Sequence, residues 1–141
     1  MANVTITAAN VTISNGASED GTAGEAVDAG ETVYKSATDS KFYLADCDAT
    51  AVGSNATIDN VYGVALNSAA ADQSLDIQKT GIINIGGTVV VGTVYVQSAT
   101  AGKIAPWADL STTDYVTLLG VGKTASTLDL GIKIMGVQIP A

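Results

Sequence analysis

The chain contains no histidine, and its six basic residues are all lysines. Lack of histidine removes the commonest general base and the commonest metal ligand, so Ser-His-Asp and Cys-His arrangements are excluded. A serine-lysine pair survives only as Ser36 beside Lys35 or Lys41, where adjacency in a polar stretch reads as a solvated loop. Lack of arginine removes the planar fork that grips phosphate or carboxylate. Lone Cys47 rules out an intrachain disulfide and a cysteine-based zinc site. Its neighbours Asp46 and Asp48 would raise the thiol pKa and blunt its reactivity. No apolar run approaches the roughly 20 residues of a membrane-spanning helix. The start Met1-Ala2-Asn3-Val4 lacks a basic region followed by an apolar one, so synthesis and retention in the cytoplasm are expected.

Aromatic residues are scarce at 5%, with one Trp and one Phe, although 47% of the 141 residues are hydrophobic. Burial must therefore rest on Val, Ile, Leu and Ala. Surface scaling gives roughly 6,700 Å² for the folded chain, enough for one domain with a thin core that gains from assembly. Fourteen acidic residues leave a net charge of −8, which repels phosphate and disfavours nucleic-acid partners.

Short runs of β-branched and alternating residues dominate what remains. They predict strands over 31–36, 41–45, 57–66, 74–79, 82–85, 93–98, 115–121 and 128–135, separated by turns rich in Gly, Asp, Asn and Ser. Leu128, Leu130, Ile132 and Ile134 alternate with Asp129, Gly131 and Lys133, which assigns one buried and one wet face. Leu75 and Ile77, set against Ser74, Asp76 and Gln78, give the same pattern earlier. Helix signals are confined to one turn at Pro106-Trp107-Ala108-Asp109-Leu110. Many short strands without helices predict an all-β fold, a small β-barrel or sandwich.

The second half repeats the plan of the first. Gly24 to Tyr34 is echoed, with one small deletion, by Gly86 to Tyr95; Ser36 to Phe42 by Ser98 to Ile104; Gly63-Val64-Ala65 by Gly120-Val121-Gly122; and Ser74 to Ile77 by Thr127 to Leu130. This predicts a single β domain over 24–141 with pseudo-repeats 24–85 and 86–141. Upstream, Ala2-Asn3-Val4-Thr5-Ile6 recurs as Ala9-Asn10-Val11-Thr12-Ile13, two strand signals, followed by the polar stretch Ser18-Glu19-Asp20-Gly21-Thr22. Residues 1–23 read as an N-terminal arm with a flexible connector, or alternatively as an edge strand of the same barrel.

Two acidic groups, Glu19, Asp20, Glu25 and Asp28, and Asp39, Asp46, Asp48 and Asp59, lack the alternating ligand loop of a Ca²⁺ site and read as surface charge, with a weak Ca²⁺ contact as the alternative. No metal or cofactor is expected. Gly120-Val121-Gly122-Lys123-Thr124 has the end of a phosphate loop but not its preceding glycine or its helix, and reads as a turn between strands. Trp107, beside Pro106, either plugs the barrel mouth or anchors an interface.

The block Val61 to Ile77, then Thr80-Gly81-Ile82 and Gly92-Thr93-Val94-Tyr95-Val96, resembles tailed-bacteriophage capsid decoration (cement) proteins, with Asp72 where that family often has Gly. The resemblance spans roughly residues 24–137. It implies a tulip-like or barrel-like β fold and a non-enzymatic virion protein on the outer surface of the phage head. Its partners would be the major capsid protein and further copies of itself, as a homotrimer or homodimer, with no nucleic acid and no membrane. Interface residues would be Val4, Ile6, Val11 and Ile13 of the arm, adding a strand to a neighbour, together with Pro106 and Trp107. On that reading, deleting residues 1–13 weakens head attachment more than it destabilises the domain. A tail or baseplate β-protein and a small-ligand-binding β-barrel are the rivals.

Overall fold

A computed structural model describes residues 3–36, 39–45, 61–87, 89–98, 100–110 and 115–138. Among them are eleven strands, β1 (Thr12–Asn15), β2 (Ser18–Thr22), β3 (Thr32–Lys35), β4 (Phe42–Leu44), β5 (Gly63–Ala65), β6 (Ser74–Gln78), β7 (Thr80–Asn84), β8 (Val94–Gln97), β9 (Ile104–Pro106), β10 (Tyr115–Gly122) and β11 (Thr127–Gln138). They form two sheets of antiparallel neighbours, β2-β6-β5-β3-β4 and β1-β7-β11-β10-β8-β9. The all-β expectation holds, and neither sheet closes into a full barrel. The accessible area, 6428 Å², lies close to the scaling value.

The duplication is written in the topology. Strands β2 to β6 take the order 2-6-5-3-4, and β7 to β11 take 7-11-10-8-9, which is the same order; β1 is the one strand outside it. Equivalent positions lie 62 residues apart through the first hairpin of each sheet. Gly30 and Gly92 share positive φ (90° and 84°), as do Ser40 and Gly102 (61° and 76°). Ser36 N–H bonds Lys41 C=O at 2.9 Å, and Ser98 N–H bonds Lys103 C=O at 3.0 Å. The constant spacing removes the deletion read from sequence: Val33, not Tyr34, is the counterpart of Tyr95. Both are buried, Val33 in one core cluster and Tyr95 in the other.

The topology also moves the repeat boundaries. Ser18 to Thr22, expected to be a flexible connector, is strand β2, paired along its length with β6. Each five-stranded unit therefore runs from 18 to 78 or from 80 to 138. A polar sequence forms this strand because its partner continues across both sheets. Thr12 pairs with Asn84, Ile13 with Ile83, Ser18 with Gln78 and Thr22 with Ser74, one ribbon bent where Gly16 meets Gly81. Both glycines have positive φ, and a Cβ on Gly16 would lie 2.5 Å from the Thr80 carbonyl oxygen. Gln78, fully buried at this corner, donates from Nε2 to the carbonyls of Asn15 (2.9 Å), Thr80 (2.9 Å) and Ile82 (3.1 Å).

Two cores follow. The larger lies between the sheets, with Val64, Ala29 and Ala45 against Ile83, Ile85, Tyr95, Ile104, Leu119, Leu128 and Leu130. Leu128 and Leu130 are buried while Asp129 and Lys133 are exposed, as the alternation predicts. The smaller core fills the curl of the five-stranded sheet with Val33, Phe42, Ala65, Leu75 and Ile77. Its edges meet through a single parallel bridge between Ala23 and Phe42. Between the sheets Gln97 Nε2 donates to Ala45 C=O at 2.9 Å, and its carbonyl accepts the Thr32 hydroxyl.

The segment before β1 packs on its own domain. Val11 is buried, and Val4 and Ile6 pack against the larger core. Val4 N–H bonds Ile104 C=O at 2.7 Å, so this copy of the N-terminal repeat runs beside β9 without forming a ladder, and Ala8–Asn10 is a 3-10 turn instead of a strand start. The second copy supplies edge strand β1. Deleting residues 1–13 would therefore remove buried Val11 and the partly buried Val4 and Ile6 from the domain itself.

Candidate functional site

The outer face of the six-stranded sheet carries an apolar groove. In β8, half-buried Val94 and fully buried Val96 alternate with Tyr95, which packs in the larger core; in β10, half-buried Val116 and Leu118 alternate with buried Thr117 and Leu119. Pairing sets Leu118 opposite Val96 and Val121 opposite Val94. Pro106 ends β9 with extended backbone and starts the 3-10 turn Trp107–Asp109, closed by Leu110 N–H to Trp107 C=O at 3.2 Å. This turn brings Trp107 and Leu110 to the strand face. Together Val94, Val96, Trp107, Leu110, Val116 and Leu118 line a groove of about 280 Å³. Trp107 is 60% exposed and Val121 42%. Trp107 therefore lies outside the curl of either sheet and does not plug a barrel mouth. Val90 and Val91 stand exposed in the turn leading into β8.

The expected interface residues fall into separate places. Pro106 and Trp107 belong to the groove. Ile13 is partly exposed on β1, at the opposite edge of the same sheet. Val4, Ile6 and Val11 are spent on the larger core. Sequence reading missed Val94, Val96, Val116 and Leu118. Their alternation with Tyr95, Thr117 and Leu119 was visible, but alternating strands of uniformly apolar residues do not say which face is inner.

Polar side chains are committed elsewhere. Lys41 Nζ pairs with Asp72 at 2.6 Å, which raises its pKa through the hydrogen bond first and charge second. Asp72 adopts φ 69°, a left-handed conformation that aspartate is among the few side chains to tolerate. Asp39 accepts from the Tyr43 hydroxyl at 2.7 Å and from Lys41 N–H at 3.0 Å, which holds its carboxyl below the usual range and pushes Tyr43 up to about 12. Ser36 also serves Asp39, and Lys35 Nζ lies 5.9 Å from the Phe42 and Tyr62 ring centres. Glu19 accepts the Tyr62 hydroxyl and Glu25 the Leu44 N–H. Asp20 and Asp76 face each other across β2 and β6, and the hydrogen bond with Asp20, desolvation and the Asp20 charge raise the Asp76 pKa.

Among the described residues no three His, Cys, Asp or Glu side chains converge as a metal site would require. Asp46, Cys47, Asp48 and Asp59 lie outside the described residues. Gly120 to Thr124 spans the end of β10 and its turn into β11. A second cleft, about 320 Å³, lies where the sheets meet and is lined by Val61, Tyr62, Lys79, Thr80, Gly131 and Ile132, with Lys79 Nζ 4.1 Å above the Tyr62 ring. No described helix is long and apolar enough to cross a membrane. Comparison with known proteins adds no family: no protein-family model matches the chain and no curated protein matches it.

Proposed function

We propose that the chain is a structural virion protein that binds the outer surface of a tailed-phage head and cements neighbouring major capsid subunits against internal DNA pressure. The observation that carries this reading is the groove around Trp107. It offers aromatic and aliphatic anchors with almost no polar lining, which suits a macromolecular face better than a small ligand needing converging polar groups. The resemblance to decoration proteins supports the choice of partner. Net charge of −8 favours a partner face that carries cations around an apolar centre.

Cementing is then a matter of linkage. A protein that binds the assembled lattice and not its parts stabilises it by RT ln(1 + [L]/Kd) per site, and contacts to several subunits add avidity. The test mixes purified protein with undecorated heads and measures co-sedimentation, heat resistance and tryptophan emission. Expected results are binding at micromolar concentration, a higher rupture temperature and a blue shift, since Trp107 is the sole tryptophan and leaves water on docking. Failure to bind at micromolar concentration overturns the reading.

A further inference from the structure

We propose that residues 3–15 are an exchangeable strand: the slot they fill in the six-stranded sheet also takes the same segment of a second copy of this chain. The duplication exposes the slot. In the first repeat the sheet edge is met by its own unit, with Gly24 N–H bonded to Phe42 C=O at 2.7 Å beside the Ala23–Phe42 bridge. Ile104 is the counterpart of Phe42, 62 residues on, and its C=O receives Val4 N–H at the same 2.7 Å. The donor in the second repeat thus comes from outside the repeat.

Gly86, the counterpart of Gly24, turns aside with φ 62°, and a Cβ there would lie 2.9 Å from the Thr7 carbonyl oxygen. A Cβ on Gly87 would run into the Thr5 carbonyl, and one on Gly30 would lie 2.6 Å from Ile6 Cγ2. Glycines on both sides let a backbone approach closely, which shapes the slot for an extended chain. Val4, Ile6 and Val11 add apolar anchors.

The tether favours exchange. Only Gly16 and Ala17 separate β1 in one sheet from β2 in the other, and Gly16 holds φ 116° in a ribbon whose register shifts between Ile13 and Asn15. A short hinge before a terminal strand is an arrangement from which strand swapping arises, and a swapped copy makes the same contacts as the unswapped one. Filling by the chain's own segment wins at dilution. Exchange wins when copies are held at roughly millimolar effective concentration, as on an array. The inference concerns the chain alone and stands whether or not a phage head is its partner.

The test uses the full chain in two lengths, one with a C-terminal extension, each carrying Cys47→Ser, Asn3→Cys and Ser98→Cys. Ser98 Oγ and Asn3 Oδ1 lie 2.5 Å apart, so a disulfide reports where the segment sits. The two forms are refolded together at high and at low concentration, oxidised, and separated without reductant. Exchange predicts covalent species of mixed length that grow with concentration. Single-chain products alone at every concentration would overturn the proposal. Free thiols throughout would deny the contact that defines the slot and overturn it as well.

Discussion

Gln78 shows how much one polar side chain can hold. Its amide binds three carbonyls at the corner where the ribbon passes between sheets, and it is fully buried. Its two amide hydrogens are shared among those acceptors while its own Oε1 is buried without a partner, so Gln78→Leu, which keeps similar volume, removes donors and an unsatisfied acceptor together and is expected to cost about 1–2 kcal/mol in urea unfolding. Asp20 and Asp76 provide the opposite case. The folded Asp76 pKa is raised above its ordinary value of 3.8, first by the hydrogen bond from Asp20. Its stabilising contribution is therefore complete below that value and lost as pH rises through the folded pKa. Asp76→Asn is expected to stabilise at neutral pH by no more than about 1 kcal/mol, since the pair is exposed and screened, with the gain vanishing toward pH 3. Asp39 runs the other way: its lowered pKa supports the fold above the ordinary value and ceases to do so on acidification. Thermal melts across pH separate the two.

At the level of elements, the N-terminal segment and the bent ribbon decide the architecture. Gly87→Val would set a side chain against the Thr5 backbone. It is expected to lift residues 3–11 from the sheet, at a cost of about 1–3 kcal/mol. Hydrogen exchange should then rise in that segment while β3 to β6 stay protected. Protection unchanged in residues 3–11 would contradict the packing argued for Val4 and Ile6. Strands such as β6 and β11 were legible because apolar and polar residues alternate along them. Strand β2 was not, since Ser18-Glu19-Asp20-Gly21-Thr22 carries no apolar face and is ordered by hydrogen bonding to β6.

For the whole molecule, the two sheets form a duplicated frame whose outer face presents Trp107. Because that side chain is largely exposed, Trp107→Ala should change the unfolding free energy by less than about 1 kcal/mol. Co-sedimentation with heads should fall by about tenfold or more, the usual effect of removing a central aromatic anchor. An equal loss of stability and binding would place Trp107 in the frame and not at a contact. Pro106 and Trp107 were legible as a pair because aromatics are so few in this chain. Leu118 and Val96 were not, because only the pairing of β8 with β10 brings them to one side.

Sequence alone determined the all-β character, the alternation of β11 through Lys133 and of β6 through Ile77, and the existence of a duplication, because strand period and turn residues are local properties; Gln78, expected on the wet face of β6, is instead fully buried at the corner between the sheets. It also determined that these 141 residues supply no histidine side chain. Tertiary structure alone decided where each repeat begins, which strand lies outside both, and that Val4, Ile6 and Val11 enter the core while Trp107 stays out. Those outcomes depend on pairing between segments far apart in the chain, where hydrogen-bond register and close glycine contacts outweigh the hydropathy of any single stretch.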